Sequence, residues 1–215
     1  MWESQYNPLI PFLCLMHTPE PLKSIEGMDI YLIDQVMKGR YQKGESILDA
    51  GAGGGRNLNW FFREGFNVTA CDLVSEREEL IKSRYPEAEF EWATCDLSSL
   101  PFKDASFDHV ICNAVLHFAS GKEHFEAMFS ELVRVTKKGG TLFIRTCGIM
   151  GIEDNVEALG DGRFIQPDGE TRYLLDKNQV DLLLKKQGLQ FLEAFKYVNV
   201  EGHRVMCTLV LVKRS

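Results

Sequence analysis

Residues Ile47 to Asn57 read ILDAGAGGGRN, and this stretch limits the fold more than any other. A short apolar run ends in an acid, Asp49, and passes straight into Gly51, Gly53, Gly54 and Gly55. Glycines admit positive-φ turns and let a backbone approach a ligand with no Cβ atoms in the way. The pattern predicts a strand, a tight turn and a helix from about Gly54. The free N–H groups and positive dipole end of such a helix would face whatever sits over the turn. Asp49, at the strand's mouth, suits an ammonium group or hydroxyls. A zwitterionic nucleoside fits such a site better than a bare phosphate.

Around this turn, strand-like and helix-like patterns alternate, which predicts an α/β fold, a doubly wound and mostly parallel sheet with helices on both faces. The expected strands are Ser46 to Asp49, Asn67 to Asp72, Glu89 to Ala93, Phe107 to Asn113 and Thr141 to Thr146. Runs such as HVICNAV and TLFIRT are nearly continuous in apolar residues, as parallel strands buried on both faces are. The clearest helix spans Lys122 to Val135, with Phe125, Met128, Phe129, Leu132 and Val133 on one stripe. Lys137 and Lys138 suit its negative end, and Gly139 is the expected left-handed cap.

Farther along, Asp176 and Gln179 form a candidate capping box for a helix that Gly188 ends. Two strand-like segments follow, Leu189 to Val198 and Arg204 to Lys213. The short polar link at Glu201 and Gly202 makes them antiparallel.

With 215 residues, the chain reads as one domain, 1–215. Within it, 1–39 is an N-terminal cap segment with a helix at Met28 to Lys38, and 40–147 is a ligand-binding core. The connection 148–175 is longer than a simple doubly wound sheet needs and reads as a lid, while 176–215 supplies the last helix and the hairpin.

Hydrophobic residues at 45% and charged residues at 26% suit a globular core, and a formal charge of −7 with no basic cluster argues against a nucleic-acid partner. The six cysteines form no CxxC pair and read as reduced. Cys71, Cys112, Cys147 and Cys207 fall in or beside apolar runs, where thiols act as small hydrophobes. LIPFLCLM, Leu9 to Met16, is too short to span a membrane and lacks the basic leader of a secretion signal. The expectation is a cytoplasmic protein with no membrane partner.

Several residues fall where chemistry is expected. Asp72 closes the second strand roughly twenty positions after Gly51, where an acid accepts both hydroxyls of a ribose. Asp96, in TCDLSSLPF, offers an acceptor to an adenine amine with Leu97 packed on the ring; an Asx-turn before Ser98 is the plainer alternative. Asn113 ends the fourth strand, and His117, one turn on, is a candidate for orienting a substrate or taking a proton. Arg145, Arg163 and Arg172 suit an oxyanion. His17, His109, His124 and His203 show no metal-ligand spacing.

Taken in order, the D-x-G-x-G-x-G turn from Asp49, the acid ending strand two, the Cys95-Asp96-Leu97 step and FD-x-V-x-C-N at Phe107 to Asn113 resemble the class I S-adenosylmethionine-dependent methyltransferases. The resemblance covers about Gly44 to Thr146 and implies that family's Rossmann-like, seven-stranded sheet. It further implies that Asp49 with the backbone of Gly51, Ala52, Gly53 and Gly55 holds the methionine part, and Asp72 the ribose. Asp96 and Leu97 would hold the adenine, Asn113 would sit by the amine and the reacting sulfur, and Asn57 and Leu73 would be among the cofactor-binding residues. The GGGRN turn, RYLL and the closing hairpin also resemble the small tellurite-resistance-type branch.

The resemblance carries two departures. Family members acting on exocyclic amines of bases usually show Asn-Pro-Pro-aromatic at the end of strand four. Here Ala114 and Val115 follow Asn113, which disfavours such acceptors. Lys138 stands where proline is frequent, which touches only a helix end.

The implied reaction is methyl transfer from S-adenosyl-L-methionine to a small-molecule acceptor, with Trp2, Tyr6, Phe164 and Tyr173 as candidate lid aromatics. Two rival readings remain. A nicotinamide-dependent oxidoreductase wants a third glycine where Arg56 or Leu58 stands, and a catalytically silent binding module would hold the cofactor without turnover.

Overall fold

Uninterrupted apolar runs become the centre of one sheet in the computed structural model, which describes residues 20–214. Trp2, Tyr6 and the Leu9 to Met16 stretch lie outside the described residues. The first five strands are β1 (Ser46–Ala50), β2 (Asn67–Asp72), β3 (Glu91–Thr94), β4 (Phe107–Asn113) and β5 (Thr136–Gly148). All pair in parallel, in the order β5-β4-β1-β2-β3.

A separate antiparallel meander follows, made of β6 (Glu157–Gly160), β7 (Arg163–Ile165) and β8 (Thr171–Tyr173). The last three strands are β9 (Leu189–Phe191), β10 (Lys196–Val200) and β11 (Arg204–Lys213). β11 runs antiparallel to β5, and β9 and β10 share its outer edge. The sheet is therefore mostly parallel, seven strands across, and closes on an antiparallel hairpin.

Alternation within the strands supplies two cores. Leu48, Val110, Cys112, Leu142 and Ile144 face one side. They meet α4 (Lys122–Val135) through Phe125, Met128, Phe129, Leu132 and Val133, the stripe read from sequence, and α5 (Lys177–Gln187) through Val180, Leu183 and Leu184. Ile47, Val68, Ile111 and Phe143 face the other side. There they meet α1 (Ile30–Met37), α2 (Asn59–Glu64) and α3 (Arg77–Arg84), through Leu32, Phe61 and Ile81 respectively. Cys71, Cys112, Cys147 and Cys207 are all buried and free. Among the described residues no helix is long and apolar enough to cross a membrane.

Four local expectations need correction. The helix expected near Gly54 opens only at Asn59, because Gly51, Gly53 and Gly55 adopt φ of +79°, +53° and +70°, which no right-handed helix accommodates. Leu189 to Val198 is not one strand but two. Between them Glu193 turns aside to pair with Lys38 at 2.6 Å, Arg40 at 2.8 Å and Lys196 at 2.6 Å.

The end of α4 differs as well. Thr136 runs directly into β5, and Lys137 pairs with Asp108 at 2.8 Å. The carbonyls of Val133 and Thr136 instead accept from Lys213 Nζ, each at 2.8 Å, so a cation from β11 does the work expected of Lys137 and Gly139. Finally, the Asp176–Gln179 box is half formed. Asp176 Oδ1 accepts the Gln179 N–H at 2.7 Å, but the Gln179 side chain bonds the Tyr173 hydroxyl instead of returning to Asp176.

Candidate functional site

Parallel strands bring their carboxyl ends to one edge of the sheet, and the segments leaving β1, β2, β3 and β4 surround a cavity of about 620 Å³ there. Gly51, Ala52 and Gly53 form one wall, Asp72, Leu73 and Val74 the next, Cys95, Asp96 and Leu97 a third, and Asn113, Ala114 and Val115 the fourth. The volume falls within the roughly 300–1,000 Å³ of small-molecule and cofactor sites.

The glycine turn is shaped by close contacts. The N–H groups of Gly51 and Ala52 both donate to the Cys71 carbonyl, at 2.8 and 2.9 Å. A Cβ on Gly51 would lie 2.3 Å from Val115 Cγ2, so β1 and the segment after β4 meet only because glycine stands there. At Gly53 the reverse holds. Nothing lies within 4 Å of where a Cβ would sit, which leaves this backbone open to a ligand. Gly55 is outside the cavity; its Cβ would fall 3.0 Å from Ile81 of α3.

Asp49 lies just before this turn without lining the cavity itself; it is 1% exposed, and its Oδ2 has no hydrogen-bond partner among the described residues. Burial pushes its carboxyl up to about 7, against the pull of Arg56 and with a smaller push from Asp72. A buried carboxylate without a donor is costly. An ammonium group beside it would supply both charge and hydrogen bond.

Across the cavity, Asp72 Oδ2 accepts the Gly53 N–H at 2.9 Å and Oδ1 accepts that of Val74 at 3.1 Å. Each carboxylate oxygen retains capacity for a ligand hydroxyl. Leu73, 68% exposed, projects apolar surface at the same edge, and Leu97 is buried. Asp96 Oδ1 accepts from Ser98 N at 2.7 Å and from His124 Nε2 at 3.2 Å. The Asx-turn is present, and Asp96 still lines the cavity.

Asn113 ends β4 opposite Arg145 of β5. Its Oδ1 accepts from Arg56 Nη2 at 3.2 Å, which fixes the amide's orientation, and its buried Nδ2 has no partner among the described residues. Ala114 then takes φ of +63°, a conformation unusual for a residue with a Cβ, and turns the chain away from the strand. Asn57, buried, accepts the Asp29 N–H at 3.1 Å and so ties the turn to the start of α1.

Asn113 and Ala114 also border a second, smaller cavity of about 300 Å³. His117, Arg145, Gln166, Arg172 and Arg204 line it. His117 is buried. That burial, and then the positive charges of Arg172 and Arg204, push its imidazole down to about 4. Arg145 donates to Asp29 at 2.8 Å and lies over the Tyr31 ring at 4.6 Å, while its Nε has no partner among the described residues. Arg172 covers the Phe118 ring at 4.8 Å. Arg163 lies on β7 and lines neither cavity.

Asp29, Arg56, His124, Gln166 and Arg204 belong to this edge without having been singled out by sequence. Asp29 had a local signal: it caps α1 by accepting the Tyr31 N–H at 2.9 Å, directly before the helix pattern. Gln166 and Arg204 had none, since only the meander and the closing hairpin carry them there.

Comparison with known proteins agrees with this architecture. Residues 48–144 match a family model described as a methyltransferase domain. Malonyl-[acyl-carrier protein] O-methyltransferase of Serratia marcescens is 30% identical over 132 residues, 61% of this chain and 48% of that protein. The tRNA (carboxymethyluridine(34)-5-O)-methyltransferase alkbh8 of Xenopus tropicalis is 33% identical over 102 residues, 47% of this chain and 15% of that protein. The chain thus spans less than half the length of either relative. A SAM-dependent methyltransferase from Methanosarcina mazei shares the fold with a TM-score of 0.70 at 20% identity, over 83% of this chain and 97% of that one. Sheet order, glycine turn and sequence match converge on the methyltransferase domain that residues 48–144 match.

Proposed function

We propose that the chain transfers a methyl group from S-adenosylmethionine to a small-molecule acceptor. One observation carries the reading: the larger cavity, with the buried carboxyl directly before its glycine turn, offers partners for an amino acid, a sugar and a base. Among the described residues, buried Asp49 Oδ2 stands unpartnered directly before the glycine turn, although Asp49 itself does not line the cavity. Asp72 follows, and then Asp96 beside Leu97. These groups suit the ammonium of the methionine part, the ribose hydroxyls and the adenine amine.

When bound, S-adenosylmethionine supplies an electrophilic methyl carbon on a sulfonium. The chain's own residues contribute alignment. Asp49 and the open Gly53 backbone hold the amino-acid end, Asp72 the sugar, and Asn113 borders both cavities and so sets where donor and acceptor meet. Positioning of this kind is worth effective molarities on the order of 10⁵ M or more. His117, neutral at ordinary pH, serves as a hydrogen-bonding partner to the acceptor. The connection 148–175 carries Gln166 and Arg172 to the smaller cavity and acts as its lid.

Both relatives' names give an oxygen as the methylated atom, and one acts on tRNA. The formal charge of −7 favours a small acceptor here over a polyanion. Incubation with labelled S-adenosylmethionine, a metabolite pool and total tRNA in parallel tests this. Label in a small organic product is the expected result. Label recovered only in RNA would overturn the small-molecule assignment, and no S-adenosylhomocysteine binding by calorimetry would overturn the donor.

A further inference from the structure

The smaller cavity has a consistent chemical bias. Its lining carries the guanidinium groups of Arg56, Arg145, Arg172 and Arg204 against the carboxylates of Asp29 and Asp168. Four cations face two anions in the lining, and Arg172 is also paired with Glu170 at 3.1 Å, which leaves a net positive bias. Asp29 is already engaged by Arg145 at 2.8 Å and by Arg56 at 3.8 Å. Asp168 Oδ1 accepts the Glu170 N–H at 3.0 Å.

The polar atoms buried without partners point the same way. Among the described residues, Asn113 Nδ2, Arg145 Nε and Gln166 Nε2 are N–H donors lacking an acceptor, and His117 Nδ1 at the same cavity is also without a partner. Gln166 is 3% exposed and Asn113 8% exposed, so water does not readily reach either side chain. Buried donors without acceptors are costly. Three of them converging on one cationic cavity call for a ligand rich in acceptors and negatively charged.

We propose that the smaller cavity selects the methyl acceptor by its carboxylate: the acceptor is a small organic acid whose oxygens take the Arg145, Gln166 and Asn113 donors, with Arg172 and Arg204 supplying charge from the lid and the closing hairpin. This rests on the donor occupying the larger cavity, which meets the smaller one at Arg56, Asn113 and Ala114. An acid seated among these donors lies against the amino-acid end of the donor site. Arg204 and Gln166 are specificity-determining residues on this account. Neither lines the donor cavity.

Calorimetric titration of the protein saturated with S-adenosylhomocysteine tests the assignment, using malonate and benzoate, their amides, and inorganic phosphate. The carboxylates should bind at least tenfold more tightly than the amides and than phosphate. Arg204→Gln and Gln166→Leu should each weaken carboxylate binding tenfold or more while leaving S-adenosylhomocysteine affinity unchanged. Equal affinity for acids and amides, tighter phosphate binding, or indifference to both substitutions would overturn the inference. The same titration on ligand-free protein, followed by thermal shift, keeps the two readings apart. Failure to bind S-adenosylhomocysteine defeats the donor assignment, whereas carboxylate binding is read there independently.

Discussion

Arg145 Nη1 donates to Asp29 Oδ2 at 2.8 Å, joining the end of β5 to the residue that caps α1. The two side chains are 11% and 8% exposed, so each is the other's main compensation for burial. The bond also links the larger cavity to the smaller one, because the Asp29 N–H donates to Asn57 in the glycine turn.

Removing one partner of a buried pair strands the other. Asp29→Ala should therefore cost about 3–5 kcal/mol of stability. Asp29→Asn keeps an acceptor for the Tyr31 N–H and should cost less. Urea unfolding monitored by circular dichroism checks the order. A loss under about 1 kcal/mol for the alanine variant would mean that the pair does not anchor α1.

Asp49 makes stability depend on pH in a stated direction. Its carboxyl titrates near 7 when folded, against about 3.9 in an unfolded chain. The folded form thus binds a proton more readily. The stability this gives is complete below about pH 4 and is lost as pH rises through 7, a change on the order of 4 kcal/mol. Asp49→Asn should gain relative to wild type between pH 5 and pH 8. S-adenosylhomocysteine should reverse the trend, its ammonium favouring the ionised carboxylate, so wild-type affinity should climb from pH 5.5 to 7. Parallel pH profiles for wild type and Asp49→Asn would remove Asp49 from both roles.

Asp72 has a double task. It holds the Gly53 N–H at 2.9 Å and faces the cavity where a ribose would lie. Hydrogen bonds to a charged group are worth about 1.5–3 kcal/mol. Asp72→Ala should weaken S-adenosylhomocysteine binding by roughly tenfold to a hundredfold. Unchanged affinity by calorimetry would take Asp72 out of the site.

How much of this was legible follows from how local each signal is. The α4 stripe was legible because a helix of 14 residues repeats its apolar period several times. Asp72 and Asn113 were legible because each closes an apolar strand run. The start of α2 was misread because helix polarity was inferred without the positive-φ glycines that delay it. The meander carried a signal that went unused. Asp161 and Gly162 adopt φ of +54° and +78°, the conformation an Asp-Gly hairpin turn prefers, and Asp168-Gly169 follows seven residues on. Gln166 and Arg204 reach the smaller cavity only through strand pairing that brings distant segments together, and no periodicity records that.

Lys213 illustrates the same point with a measurable consequence. It caps α4 from β11, with two carbonyl acceptors at 2.8 Å, and partial burial pushes its ammonium below the usual lysine range. Lys213→Met keeps the aliphatic stem and removes the donor. The loss should be about 2 kcal/mol, the scale of a charged hydrogen bond. Thermal unfolding at neutral pH reads it, and an unchanged midpoint would show that water serves those carbonyls equally well.

His117 allows a final separation between structure and chemistry. Its imidazole titrates near 4 in the folded chain, against about 6.5 unfolded, so the folded form binds a proton less readily. The resulting stability is complete above about pH 6.5 and is lost as pH falls toward 4. His117→Gln should flatten that acid limb without altering unfolding above pH 7. As a group that is neutral throughout the working range, His117 should orient the acceptor instead of changing charge during turnover. His117→Ala should accordingly keep its S-adenosylhomocysteine affinity and lose clearly less than about 10⁴-fold in kcat, with no new ionisation between pH 6 and 8. A loss beyond that factor, or a wild-type rate profile breaking near pH 6.5, would make His117 a proton acceptor in the reaction itself.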